Sequence, residues 1–267
     1  AAGPSTCAHA AYARAVHPGP DGHVVGTAES QACFAAQWCL ALWFLELAHH
    51  PLRMRLGRSP LDTPRPDGSW QVYYGAPNGD INATVEAYAA LRSLGYRDEE
   101  PALARARAWI AAKGGLRNVR VFTRYWLALI GEWPWEMTPN IPPEVIWFPV
   151  WFPFSIYNFA QWARATLMPI TVLSARRPSR PLPPENRLDA LFPEGRERFD
   201  YQLPVKANAG AWDRFFRRAD KVLHILQNLG NKLNLGLWRA AAIRHVLEWI
   251  IRHQDADGAW GGIQPPW

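Results

Sequence analysis

The chain has little cysteine: Cys7, Cys33 and Cys39 are the only three among 267 residues, and no Cys-x-x-Cys occurs. So few, so placed, cannot make a disulfide framework, and a reducing, cytosolic compartment is the expectation. All three lie before residue 40, far from His245 and His253, so no zinc ligand set of Asp, Cys and His is visible. Runs of lysine or arginine are also missing. The net charge of +6 comes from dispersed arginines, whereas a nucleic-acid groove interleaves basic residues with stacking aromatics. The pattern suits an anionic membrane surface, and no nucleic-acid partner is expected. Nor is there a long unbroken apolar stretch. Residues 145–159 are interrupted by Pro149 and Pro153, and residues 165–173 are bounded by Arg164 and Arg176. Both fall short of the about twenty apolar residues a bilayer span needs. Residues 1–25 lack the apolar core of a signal peptide. No alternating strand pattern of any length survives, so the expected fold class is all-α.

Tryptophan is abundant. Fifteen Trp, 13% aromatic and 49% hydrophobic residues exceed what a core of this size needs. An aromatic-lined cavity is one reading and a Trp-rich helical core the other.

The helices announce themselves by period and punctuation. Asp80 or Asn82 can cap a helix carrying Val85, Tyr88 and Leu91, with Gly95 ending it. Pro101 suits a first helical position before Leu103, Ala106, Trp109 and Ile110, and Gly114-Gly115 closes that element. Residues 119–130 are apolar nearly all round, which predicts an inner helix. Residues 34–47, 156–173 (with a kink at Pro169), 212–229 and 238–253 read as helices. In the last, Ile243, Leu247 and Ile250 share one face, opposite Arg244, Glu248 and Arg252. Residues 53–66 read as a basic loop and 178–204 as a Pro-rich one.

One phrase occurs twice. Gln254-Asp-Ala-Asp-Gly-Ala-Trp260 joins a helix end, a tight turn and a ring that can lie on Gln254 or on the next helix. Pro66-Asp-Gly-Ser-Trp70 has the same turn and tryptophan without the glutamine. A repeated helix-turn-Trp unit points to helical hairpins stacked as a toroid or solenoid.

These phrases resemble the repeated "QW" motif of the squalene-hopene and oxidosqualene cyclases, the class II triterpene cyclases. Further stretches agree in order: Gly261 to Trp267; Asp80-Ile-Asn-Ala-Thr-Val-Glu86-Ala-Tyr88; Arg120-Val-Phe122-Thr-Arg-Tyr-Trp126 running to Trp135; and Trp151-Phe-Pro-Phe154 running into Phe159-Ala-Gln161-Trp162-Ala-Arg164. The resemblance covers about Pro66 to Trp267, roughly three quarters of the chain. It implies an α/α toroid, the γ-type domain of such an enzyme, over 66–267. Residues 1–65 match poorly, read as damaged or misread, and receive no role.

Such enzymes protonate an alkene or epoxide with an aspartic acid, run a cation along a folded polyene between aromatic walls, and end by proton loss or water capture. The acid motif, Asp-x-Asp-Asp before Thr-Ala, is absent, and Asp80 reads as a helix cap. The chain is therefore expected to be a fragment, inactive alone. By resemblance Glu86, Arg120 and Gln264 hold water at the end where the cation is quenched. The plain reading of the same three is a surface Glu, a solvated Arg and a loop Gln. Phe122, Phe159 and Trp162 match cavity-wall aromatics, while Gln161, Ile263 and Pro265 match positions that shape the substrate's fold.

The resemblance implies no metal and no cofactor, squalene or a related polyprenoid as substrate, and monotopic attachment to the cytoplasmic face of a membrane. A homodimer of the full-length enzyme is compatible with it. Trp147, Phe148, Trp151, Phe152 and Phe154 would enter the headgroup boundary while Arg176, Arg177 and Arg180 face lipid phosphates. Three rivals are a noncatalytic lipid-binding toroid, a protein prenyltransferase-like toroid and a toroid glycosidase. The last would need opposed carboxylates drawn from Glu86, Glu132 and Glu144.

Overall fold

The computed structural model describes residues 32–73, 75–152, 155–202, 236–256, 258, 260 and 261. Among the described residues regular structure is helical throughout, with no strand. The α-helices are α1 (Ala32–Phe44), α2 (Pro51–Asp62), α3 (Ile81–Ser93), α4 (Pro101–Ala112), α5 (Val121–Leu129), α6 (Gln161–Arg176) and α7 (Gly236–Arg252). The helix read over 212–229 lies outside the described residues.

Local chemistry starts and stops these elements as read. Oδ1 of Asp80 accepts hydrogen bonds from the Asn82 and Ala83 backbone N–H groups, both at 2.9 Å, satisfying two of the donors that a helix start leaves over. Pro101 opens α4. In α5 every residue from Thr123 to Leu129 is buried, including Arg124. That guanidinium donates to the carbonyls of Val119, Tyr201 and Arg117 and lies 4.7 Å over the Trp133 ring. Burial draws its pKa down to about 10.

The stretch read as a basic loop is instead α2. Pro51 occupies the first turn and Nδ1 of His50 accepts from the Leu52 N–H at 3.2 Å, so the helix has a proper start despite its arginines. Arg53 is buried. It donates to the carbonyl and hydroxyl of Ser93 at 2.5 and 3.0 Å and lies 5.3 Å from the centre of the Trp43 ring. A side chain at Gly57 would meet Leu94 Cδ1 at 2.1 Å, so any larger residue there would have to turn the Leu94 side chain aside.

Two further expectations are corrected. The 156–173 helix is broken: Ile156–Asn158 form a short 3-10 turn started by Ser155, Phe159 is extended, and α6 begins at Gln161 with Pro169 inside it. In α7 the buried stripe is Ala242, Ile243, Val246 and Trp249, while Leu247 is 40% exposed. The 178–202 segment holds only 3-10 turns, as read, yet it buries Leu182, Leu188, Leu191 and Phe192 in the main core.

That core is built by α1, α3, α4 and α5, with α1 packed most extensively on α3 and α2. A second, smaller cluster joins Ile146, Ile156, Met168, Val246 and Trp249, where α6 and α7 meet the preceding 3-10 turns.

The repeated phrase has a physical basis. Trp70 donates its indole N–H to the Pro60 carbonyl at 2.8 Å, and Trp260 to the Ile250 carbonyl at 2.7 Å, ten residues back in each case. Both acceptors lie in the last turn of a helix, where carbonyls lack intrahelical partners. Gly68 and Gly258 turn the chain with φ of 84° and 87°. Trp260 therefore reaches back to the helix it follows, and the Gln254 amide donates to the Gly258 carbonyl at 2.9 Å within the same turn.

Candidate functional site

Glu86 sits in the second turn of α3, one helical turn after Asn82, and is 1% exposed. Its position inside the bundle overturns the plain reading of a surface carboxylate. From α1, Gln37 Nε2 donates to Oε2 at 2.8 Å; from the first turn of α5, the Thr123 hydroxyl donates to Oε1 at 2.6 Å. The Arg120 guanidinium lies 3.7 Å from the same Oε1, an ion pair outside hydrogen-bond range. Arg120 is anchored through its backbone, whose N–H donates to Asn82 Oδ1 at 2.7 Å, and its side chain is 38% exposed.

Helical spacing brings these groups together. Asn82 and Glu86 share a face of α3, as Cys33 and Gln37 share a face of α1. Burial pushes the Glu86 carboxyl above the usual carboxylate range, against the pull of Thr123, Arg120 and Gln37. Burial likewise pushes the Cys33 thiol up to about 11, with the Glu86 charge adding to it. Cys33 is thus held as a thiol rather than a reactive thiolate. Gln37 Oε1 and Arg120 Nε are buried without a hydrogen-bond partner.

Gln37 is the member that sequence reasoning missed, because no role was given to residues before Pro66. Its signal was available: a glutamine on an otherwise apolar stretch, four residues after Cys33. Gln264, Ile263 and Pro265 lie outside the described residues. Phe122, next to Thr123, is partly buried against the main core. Phe159, Gln161 and Trp162 are exposed beside the smaller cluster, with Phe159 41% and Trp162 53% accessible.

The same region shows Trp147, Val150, Trp151 and Trp238 at the surface, Trp151 being 81% exposed. The arginines set near them divide. Arg176 is exposed, but Arg177 pairs with Glu136, and Arg180 lies 4.8 Å over the Trp43 ring and donates to its carbonyl, so Arg180 faces the protein rather than lipid phosphates. Glu132, another buried carboxylate, is paired with Arg196 and accepts from the Leu188 N–H at 3.2 Å. Glu144 pairs with Arg239 at 3.0 Å. No cluster of three or more metal-binding side chains, and no helix long and apolar enough to cross a membrane, occurs among the described residues.

Comparison with known proteins gives a consistent set of relatives. The family model described as the squalene-hopene cyclase N-terminal domain matches residues 8–267. The chain is 36% identical to a squalene–hopene cyclase of Alicyclobacillus acidocaldarius over 92% of its own length and 38% of that protein's. It is 34% identical to a squalene–hopene cyclase of Zymomonas mobilis over 92% of the chain and 36% of the relative. Against a squalene hopane cyclase of Aspergillus fumigatus it is 38% identical over 75% of the chain and 27% of the relative. The chain thus spans less than two fifths of the length of these relatives.

Proposed function

The chain belongs to the squalene-hopene cyclase N-terminal domain family, and on that premise we propose that it forms part of an enzyme that cyclises squalene or a related polyprenoid through carbocations. In this reading the chain provides cavity wall, membrane entrance and the end at which the last cation is quenched. The observation that carries it is Glu86: a carboxyl 1% exposed in an apolar helical bundle, held by Gln37 and Thr123, with Arg120 alongside. A carboxylate so placed can orient a water or accept a proton, and its burial strengthens both interactions. The unpaired Gln37 Oε1 and Arg120 Nε supply an acceptor and a donor in the same cluster, the two functions that hold a water.

The exposed aromatics around Trp147 and Trp151 support attachment to a membrane face without crossing it. The acid that starts the reaction would lie in sequence beyond this chain. Incubating the full-length enzyme with squalene and resolving the products by gas chromatography tests the proposal. Cyclised triterpenes whose ratio changes in Glu86→Gln are expected, and an absence of cyclised product refutes it.

A further inference from the structure

Glu86 and Glu132 are both buried carboxylates, but they keep different company. Glu132 is held by the Arg196 guanidinium and the Leu188 backbone N–H, groups that only donate. Burial pushes its carboxyl above the usual carboxylate range, but both partners donate to Oε2 and neither can accept, so no partner of Glu132 turns to receive a proton from its acid form. Glu86 has the Gln37 amide on Oε2 and, on Oε1, the Thr123 hydroxyl, which can donate or accept.

Thr123 Oγ1 also has a second acceptor within reach, Asn82 Oδ1 at 3.4 Å. That oxygen is fixed by the Arg120 N–H at 2.7 Å. The ionisable groups facing Glu86 are Cys33 from α1, Asp80 at the head of α3 and Arg120 ahead of α5. Arg120, at 3.7 Å, pairs with Oε1 by charge rather than by a hydrogen bond.

We propose that Thr123 is a positioning residue whose hydroxyl turns between Glu86 Oε1 and Asn82 Oδ1, letting Glu86 take up and release a proton with no further buried polar group left unpaired. The proposal rests on the reading of Glu86 as the proton acceptor at the quenching end. There, a C–H bond beside the final cation breaks, its electron pair becomes the second bond of an alkene, and the proton passes to the Glu86 carboxylate. The new carboxylic acid donates to Thr123 Oγ1, whose own proton swings to Asn82 Oδ1. Gln37 keeps donating to Oε2 throughout. The reverse turn follows when Glu86 gives its proton to water.

The test follows the Glu86 carboxyl band by infrared difference spectroscopy across pH in the full-length enzyme, with Glu86→Gln identifying the band. Asn82→Ala should lower the titration midpoint by about one pH unit, because the acid form loses the acceptor that frees Thr123. In a Thr123→Val background the same change should move nothing further, since its effect runs through the hydroxyl. Thr123→Ser should titrate like the parent. A midpoint unmoved by Asn82→Ala, an equal shift in both backgrounds, or a Thr123→Ser that behaves like Thr123→Val each overturns the proposal. The band needs no turnover. An enzyme that makes no cyclised product but titrates as described overturns the quenching reading, whereas normal products with an unresponsive band overturn the hydroxyl turn alone.

Discussion

The Gln37 amide reaches across 49 positions of sequence to donate to Glu86 at 2.8 Å, tying α1 to α3 through a polar contact inside an apolar bundle. An amide hydrogen bond to a buried carboxylate is worth more than one to a neutral group, and removing the donor leaves the charge short of a partner. Gln37→Leu should therefore cost about 1–3 kcal/mol of stability, read from the urea unfolding midpoint. An unchanged midpoint would mean that the contact carries no energy.

The pH dependence of stability has a definite sign. Burial raises the folded-state pKa of Glu86, so the unfolded chain ionises first as pH rises and the folded form still holds its proton. The contribution is complete below the unfolded carboxyl's pKa and is lost as pH climbs through the folded one. Glu86→Gln should accordingly melt at a higher temperature than the parent near neutral pH, and the gap should close in acid. A gap that widens in acid would reverse the assignment.

Arg196 and Glu132 test the opposite arrangement, a buried carboxylate held by a direct counter-charge. Arg196→Met should destabilise by about 3–5 kcal/mol because Glu132 is left buried without its counter-charge. Adding Glu132→Leu should recover much of that loss, as a denaturant double-mutant cycle would show. Equal losses in the single and double variants would make the pairing incidental.

The exposed aromatic surface yields a membrane prediction. Changing Trp147, Val150 and Trp151 together to serine should weaken flotation with anionic liposomes roughly tenfold or more, while the far-UV spectrum stays helical because these side chains are open to solvent. Loss of helix would show them to be core, and unchanged flotation would remove the patch from the membrane reading.

The residues explain what could be read in advance. Asp80 acts through a side chain that reaches only two and three residues on, and Pro101, Gly95 and Gly114 through their own backbones, so each marked its helix boundary. The Asp-Gly-x-Trp turns gave the repeat, but not its reason, since the bond from Trp70 to Pro60 needs α2 to be a helix and 53–66 reads as a loop. Arg53 misled because its charge is satisfied by Ser93, a partner that only the fold brings near. In the site, Glu86 and Arg120 were legible through their surrounding motif. Gln37 showed itself only as a polar residue on an apolar stretch, a signal that marks the position but not a partner 49 positions away.

The central claim is that Glu86 ends a cationic cyclisation, and the most direct measurement is the product profile of the full-length enzyme on squalene, resolved by gas chromatography for the parent, Glu86→Gln, Arg120→Ala and the double variant. If the two residues share one network, Glu86→Gln should change the product ratio while substrate still binds, and Arg120→Ala should add little to it. An unchanged profile in both single variants, or fully additive losses in the double, would contradict the account.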